Sequence, residues 1–266
     1  MKRWLALAVI MVTRGLWPFL AGACSPPGPV IPVTLYFADE QAQHLVPEER
    51  LVAKGEEPLE VLAVRELLKG PRDPDLSPTF PLGVKLRGVE VVDGVAHVDF
   101  SHDLLTNHPG GSTGELMTIT SLVYTLTDLP GITRVLILVE GLRVETFSGH
   151  ILITEPLERG PIKIHPVFYS MKRARRLQGL VDKGQERWRL DPLEVARRDG
   201  RMAGFLLSDK FQLLTNPSPG SEAVNGMVEV LASHAGKEYI IRLVQPVKSG
   251  PSGIWLIGSI RERHGE

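Results

Sequence analysis

Val84-Lys85-Leu86-Arg87-Gly88-Val89-Glu90-Val91-Val92-Asp93-Gly94-Val95-Ala96-His97-Val98-Asp99-Phe100-Ser101 decides the fold. Two β-rich runs flank Asp93-Gly94, a dipeptide that accepts the positive φ angles of a two-residue hairpin turn. The stretch predicts antiparallel strands over 84–92 and 95–100. Upstream, Pro58 stands at a favoured first helical position, and Leu59, Leu62, Ala63 and Leu67 form one stripe that stops at Gly70-Pro71. Earlier still, 32–37 alternates as a strand, with Val33, Leu35 and Phe37 on one face and Thr34 and Tyr36 on the other. Downstream, Ser112 and Glu115 have capping-box spacing. Leu116, Ile119, Val123 and Leu126 then recur at helical intervals as far as Pro130-Gly131. An apolar strand over 134–139 turns at Glu140-Gly141 into a segment near 143–147. The order β-α-β-β-α-β-β implies an α+β domain, a mixed sheet carrying two amphipathic helices.

The chain changes character after Glu158-Arg159-Gly160-Pro161. Between Lys172 and Arg201 it holds ten basic and five acidic residues. Residues 161–190 therefore read as a basic linker. Lys172, Arg173, Arg175 and Arg176 could meet anionic headgroups, or could form a solvated or partner-facing surface, which the missing apolar stripe favours. Asp191-Pro192-Leu193-Glu194 supplies an N-cap, a first-turn proline and an acid for a short helix through Arg198. Beyond it the period becomes two. A hairpin over 204–207 and 211–215, a loop at 216–220 and strands over 224–233, 238–247 and 254–261 make a small antiparallel β domain, residues 191–266. Trp188 and Trp255 read as packing residues. The exposed edges of such a meander suit strand addition by a protein partner.

Overall composition is that of folded protein: 266 residues, 43% hydrophobic and 23% charged. A net charge of −1 gives no basic field for nucleic acid. The single cysteine, Cys24, excludes an internal disulfide or a cysteine-rich metal site. At the N-terminus, Lys2-Arg3 precedes an apolar run from Trp4 to Val12, and Leu20-Ala21-Gly22-Ala23-Cys24 precedes a Pro-rich stretch. That is an export-signal layout. An arginine, Arg14, near the centre of a membrane span would cost roughly 2.5 kcal/mol or more, which disfavours a permanent anchor. The small residues before Cys24 resemble the lipobox of bacterial lipoproteins, which implies a diacylglyceryl group on Cys24, a signal peptide over 1–23 and a tether over 24–31.

Six segments carry a further resemblance: Val33-Thr34-Leu35-Tyr36-Phe37; Leu45-Val46-Pro47-Glu48; Leu67-Leu68-Lys69-Gly70-Pro71; Asp93 to Ser101; Tyr124-Thr125-Leu126-Thr127; and Val139-Glu140-Gly141 with Gly149-His150. Together they resemble the GerMN domain of sporulation and spore-germination proteins, here residues 32–160. The resemblance implies an extracytoplasmic lipoprotein with a non-catalytic domain similar to ring-building modules. It also implies envelope or sporulation-complex partners, homo- or hetero-oligomeric assembly, and no cofactor. Two alternatives stand beside it. Asp99, Ser101, His102 and Asp103, with His97 and His150, could build an envelope hydrolase or a metal site. Alternating strand side chains cannot all converge on one centre, and no Gly-x-Ser-x-Gly, His-Glu-x-x-His or phosphate loop is present. Turn and capping chemistry is the simpler role for Asp99 and Ser101, and helix-end contacts for Thr125, Thr127 and Asp128. The other alternative is a module binding anionic wall or lipid ligands through the basic stretch.

Overall fold

The computed structural model describes residues 29–160, 169–214 and 227–263. Cys24, the export segment, the tether before Pro29, the start of the expected linker at 161–168 and the 216–220 loop lie outside them. The described chain is α+β, as the sequence pattern implies, and its strands form three sheets. β1 (Val30–Asp39) pairs along its length with β2 (Leu45–Ala53), from Val30 opposite Ala53 to Ala38 opposite Leu45. α1 (Leu59–Leu68) follows, and β3 (Leu76–Ser77) adds a short pairing at the end of β1. The second sheet is mixed. β4 (Leu86–Val92) and β5 (Val95–Phe100) form the hairpin; α2 (Asp103–Thr106) and α3 (Ser112–Thr127) then cross over to β6 (Arg134–Val139), parallel to β5. β7 (Leu142–Arg143) and β8 (Leu157–Glu158) complete it. After α4 (Met171–Asp182) and α5 (Pro192–Asp199), β9 (Lys210–Leu213), β10 (Met227–His234), β11 (Lys237–Val244) and β12 (Leu256–Arg263) form an antiparallel meander.

The hairpin turn has the geometry its dipeptide demands: Asp93 and Gly94 both take positive φ, 49° and 75°. Gly70, at φ 80°, ends α1 where the sequence stops the helix. The alternation in β1 does not separate core from solvent, because Val33 through Ala38 are all buried. One face meets Arg50, whose guanidinium lies 5.3 Å from the Phe37 ring centroid, and the other meets Tyr124, in edge contact with Tyr36 at 5.4 Å. Strand β2 is absent from the sequence-derived order. Pro47 and the charged Glu48-Glu49-Arg50 argue against a strand there, but β2 is a sheet edge, where a proline need not donate to a ladder.

Four further expectations are corrected. Ser112 and Glu115 do not form a capping box: Gly111 is the N-cap, and no side chain caps the helix. Of the 143–147 segment only Arg143 is paired, as the second residue of β7, and Phe147 packs against His108 with ring centroids 5.4 Å apart. The 204–207 half of the expected hairpin is a turn, with Gly204 left-handed at φ 114° and the Leu206 N–H donating to Asp209 Oδ2 over 2.7 Å. The basic stretch read as a linker contains α4, capped by Ser170. Its Ala174, Leu177 and Val181 form a small core with Ile254 and Leu256, so an apolar stripe does accompany the charges.

A seam of hydroxyls inside the domain also escaped the pattern. Beyond its short pairing with β3, the second edge of β1 faces α3. There Ser121 Oγ donates to the Tyr36 carbonyl over 2.6 Å, and Thr125 Oγ1 accepts from the Tyr36 N–H over 3.3 Å. Thr79 Oγ1 lies 2.7 Å from Ser121 Oγ, and Thr118 Oγ1 donates to the Thr79 carbonyl over 2.6 Å. All four hydroxyl residues are buried. They satisfy backbone groups that no neighbouring strand reaches.

Candidate functional site

At the end of the hairpin, Asp99 accepts from Arg87 Nε at 2.9 Å through one oxygen and from the Gly141 N–H at 2.8 Å through the other. Ser101 Oγ donates to Asp103 Oδ2 over 2.8 Å and accepts from the Lys85 N–H over 3.0 Å. His102 enters only through its backbone N–H, which donates to Glu140 Oε1 over 3.0 Å. Arg87 closes the set with an ion pair to Glu140 at 2.7 Å. Such contacts splice the ends of β4 and β5 to α2 and to the β6–β7 turn. The hydrogen-bond partner of Ser101 is a carboxylate and not a histidine, and His97 lies back along β5 opposite Glu90. Among the described residues, no group of three His, Cys, Asp or Glu is arranged to hold a metal ion.

His150 is bound elsewhere, to a residue the sequence pattern placed at a helix cap. Glu115 is fully buried near the start of α3 and gathers the 148–151 loop. Its carboxylate accepts from the Ser148 N–H at 2.6 Å, the Ser148 hydroxyl, and the Ile151 N–H at 2.8 Å. The His150 ring nitrogen Nδ1 lies 3.2 Å away. Burial alone would push the pKa of Glu115 up. The bonds from Ser148, Ile151 and His150 outweigh it and hold the carboxyl down at about 2. Nearby, His108 Nδ1 accepts from the Gly110 N–H and its Nε2 faces Thr118 Oγ1, a pattern that fits the neutral ring. Burial lowers the pKa of His108.

The third polar assembly lies where the mixed-sheet region meets the meander. Asp128, at the end of α3, accepts from the Tyr36 hydroxyl at 2.5 Å and from Arg159 Nη2 at 2.7 Å. Arg159 also donates to the Tyr124 and Phe205 carbonyls and stacks 4.2 Å from the Tyr124 ring centroid. Arg201 donates to Thr34 Oγ1, while its Nε stands 3.7 Å from Asp128 Oδ2. That Nε is the one buried side-chain nitrogen or oxygen without a hydrogen-bond partner among the described residues. Burial, then the Asp128 charge, push the Tyr36 phenol up, so it stays protonated. Beside this network is a cleft of about 430 Å³, lined in part by Arg173, Arg176, Trp188, Arg189 and Asp199. Its charges are paired across it. Arg189 bonds to Asp199 and Glu186, and Asp73 takes bonds from Arg173 at 2.9 Å and Arg176 at 2.6 Å.

Arg173 and Arg176 are thus engaged with the first domain, Arg176 reaching Asp75 as well. Lys172, more exposed, pairs with Glu40 at 2.8 Å, and Arg175 faces solvent. Trp255 is buried, and Trp188 is packed between the arginines Arg189 and Arg198, 4.1 and 4.9 Å from its ring. Sequence spacing could not have flagged Asp128, Arg159 and Arg201 as one group, because the contact between them is made only by the chain returning from far downstream.

Residues 34–145 match the model of the family Germane, described as sporulation and spore germination. They fall within the stretch whose motifs resemble a GerMN domain, and the chain carries such a domain. Among solved structures, a protein of Clostridium perfringens described as a lipoprotein is 29% identical. That match covers 49% of this chain and 88% of the other, with a TM-score of 0.37. The tandem GerMN domains of the sporulation protein GerM from Bacillus subtilis are 19% identical, covering 52% of this chain and 54% of that one, TM-score 0.42. The first of those domains alone is 21% identical, covering 48% and 98%, TM-score 0.41. Comparison with curated proteins gives no match.

Proposed function

We propose, on the premise that residues 34–145 form a Germane domain, that the chain is an extracytoplasmic lipoprotein, anchored through Cys24, that acts as a non-catalytic interaction and assembly module in sporulation or germination. The observation that carries this reading is the family match. The polar groups at the strand end support it, since Asp99, Ser101 and Asp103 spend their oxygens on the fold's own donors. In this reading residues 1–23 are removed, 24–31 tether the chain, 32–160 form the docking domain and 191–266 a second contact surface. Partners are other envelope proteins. Cells labelled with a fatty-acid probe should show a labelled band that Cys24→Ala abolishes. A chain labelled equally with and without Cys24 would remove the anchor. Crosslinking in sporulating cells should recover envelope proteins. Labelling of the wild type by a serine-directed reagent, lost in Ser101→Ala, would replace this reading with the hydrolase.

A further inference from the structure

The ribbon of β1 and β2 buries one face and leaves the other open at its outer end. Val30 lies opposite Ala53, and Pro32 opposite Leu51. Residues directly opposite in an antiparallel pair, and residues two apart along a strand, share a face. These four apolar side chains therefore form one patch. All four are exposed, Val30 to 59% and Leu51 to 67%, whereas Val52 and Val33, on the reverse face, are buried. Farther along the same face Thr34 is covered by Arg201, so the patch is what remains where that cover ends. Pro29 closes the ribbon by accepting from the Lys54 N–H.

Val30 lies six residue steps beyond Cys24. Fully extended they reach roughly 20 Å, less than the thickness of a bilayer's hydrocarbon core. With lipid on Cys24, the open end of this ribbon is held within that distance of the membrane. We propose that Val30, Pro32, Leu51 and Ala53 form a membrane-contact face, seated in the lipid headgroup region. It orients the protein so that the opposite end of the domain, around the β6–β7 turn, points away from the bilayer. The proposal rests on the anchored reading of Cys24, but its test does not.

Every contact described above lies within residues 29–263, so a chain beginning at Cys24 retains them all. Cys24 is its single thiol and can be coupled to a maleimide-headgroup lipid in phosphatidylcholine and phosphatidylglycerol vesicles. Leu51→Trp and, as the control, Leu142→Trp place a reporter at each end; Leu142 is 69% exposed on β7. With brominated acyl chains, the added emission of Leu51→Trp should be quenched at least twofold more than that of Leu142→Trp. Equal quenching at the two positions would overturn the proposal. So would a blue shift of Leu51→Trp that appears without vesicles and grows with protein concentration, since the patch would then join two copies of the chain. Failure of fatty-acid labelling in cells would remove the anchor while leaving this measurement to stand or fall by itself.

Discussion

Replacing Glu115 with glutamine keeps the shape of the side chain but removes the charge that Ser148, His150 and Ile151 converge on. Hydrogen bonds to a charged group contribute about 1.5–3 kcal/mol each, and they are not additive here because they share the charge of one carboxylate. Glu115→Gln should therefore lower stability at pH 7 by about 1.5–3 kcal/mol, read by urea unfolding. The folded pKa lies below the unfolded one, about 2 against 4.5. Its contribution is complete above pH 4.5 and is lost as pH falls toward 2. The gap between wild type and variant should close over that window. A gap of equal size at pH 7 and pH 2.5 would show that the charge is not what holds the loop. Spacing in the chain identified Glu115 as special but assigned it the wrong partner. A capping box is local, and the competing donors come from a loop more than thirty residues downstream.

The α3 helix does two jobs on one side. Its Leu122, Val123 and Leu126 pack, and its Ser121 and Thr125 hydroxyls complete the open edge of β1. Thr125→Val preserves shape and leaves the buried Tyr36 N–H without an acceptor, a loss of about 1–3 kcal/mol. The same change at Thr113, exposed in the first turn, should cost less than about 0.5 kcal/mol. Thermal unfolding of the two variants checks the difference; similar melting temperatures would mean that the seam carries no weight. Helical periodicity located α3 because apolar spacing is a property of the helix itself. The same pattern treats serine and threonine as indifferent, so it could not foresee that Ser121 and Thr125 finish a strand. Leu116, placed by spacing on the buried stripe, is instead 44% exposed. The helix is buried over most of its surface, and the side that stays wet is chosen by the elements around it.

The two halves of the molecule meet through Asp128, Arg159 and Arg201, with Arg173 and Arg176 pairing at the rim. The side chains of Asp128 and Arg159 are only 3% and 7% exposed. Removing one member of a buried ion pair strands the other, at a cost of about 3–5 kcal/mol. Arg159→Met should destabilise by that amount. It should also shift circular dichroism, which reports the whole chain, together with the fluorescence of Trp188 and Trp255, which reports the downstream half. Fluorescence that stays at the wild-type midpoint while circular dichroism moves would show that the halves unfold separately. The apolar core gives a reason to expect one transition, because a single cluster runs from Leu35 and Tyr124 to Val195, Phe205 and Ile241.

The 84–100 hairpin, α1, α3, α5, the core of the meander and the family resemblance were legible in the order of residues, since turn dipeptides, helix stops and apolar periods act over a few positions. Folding in three dimensions decided the rest. It made β2 a strand despite Pro47, by placing it at an edge. It turned an expected linker into a packed helix, by supplying Ile254 and Leu256 to its apolar stripe. It gave Arg173 and Arg176 of α4 their acids more than ninety residues upstream. The physical reason is common to these cases: an unpaired charge or an uncovered apolar stripe states a need, and only the tertiary structure determines which distant residue meets it.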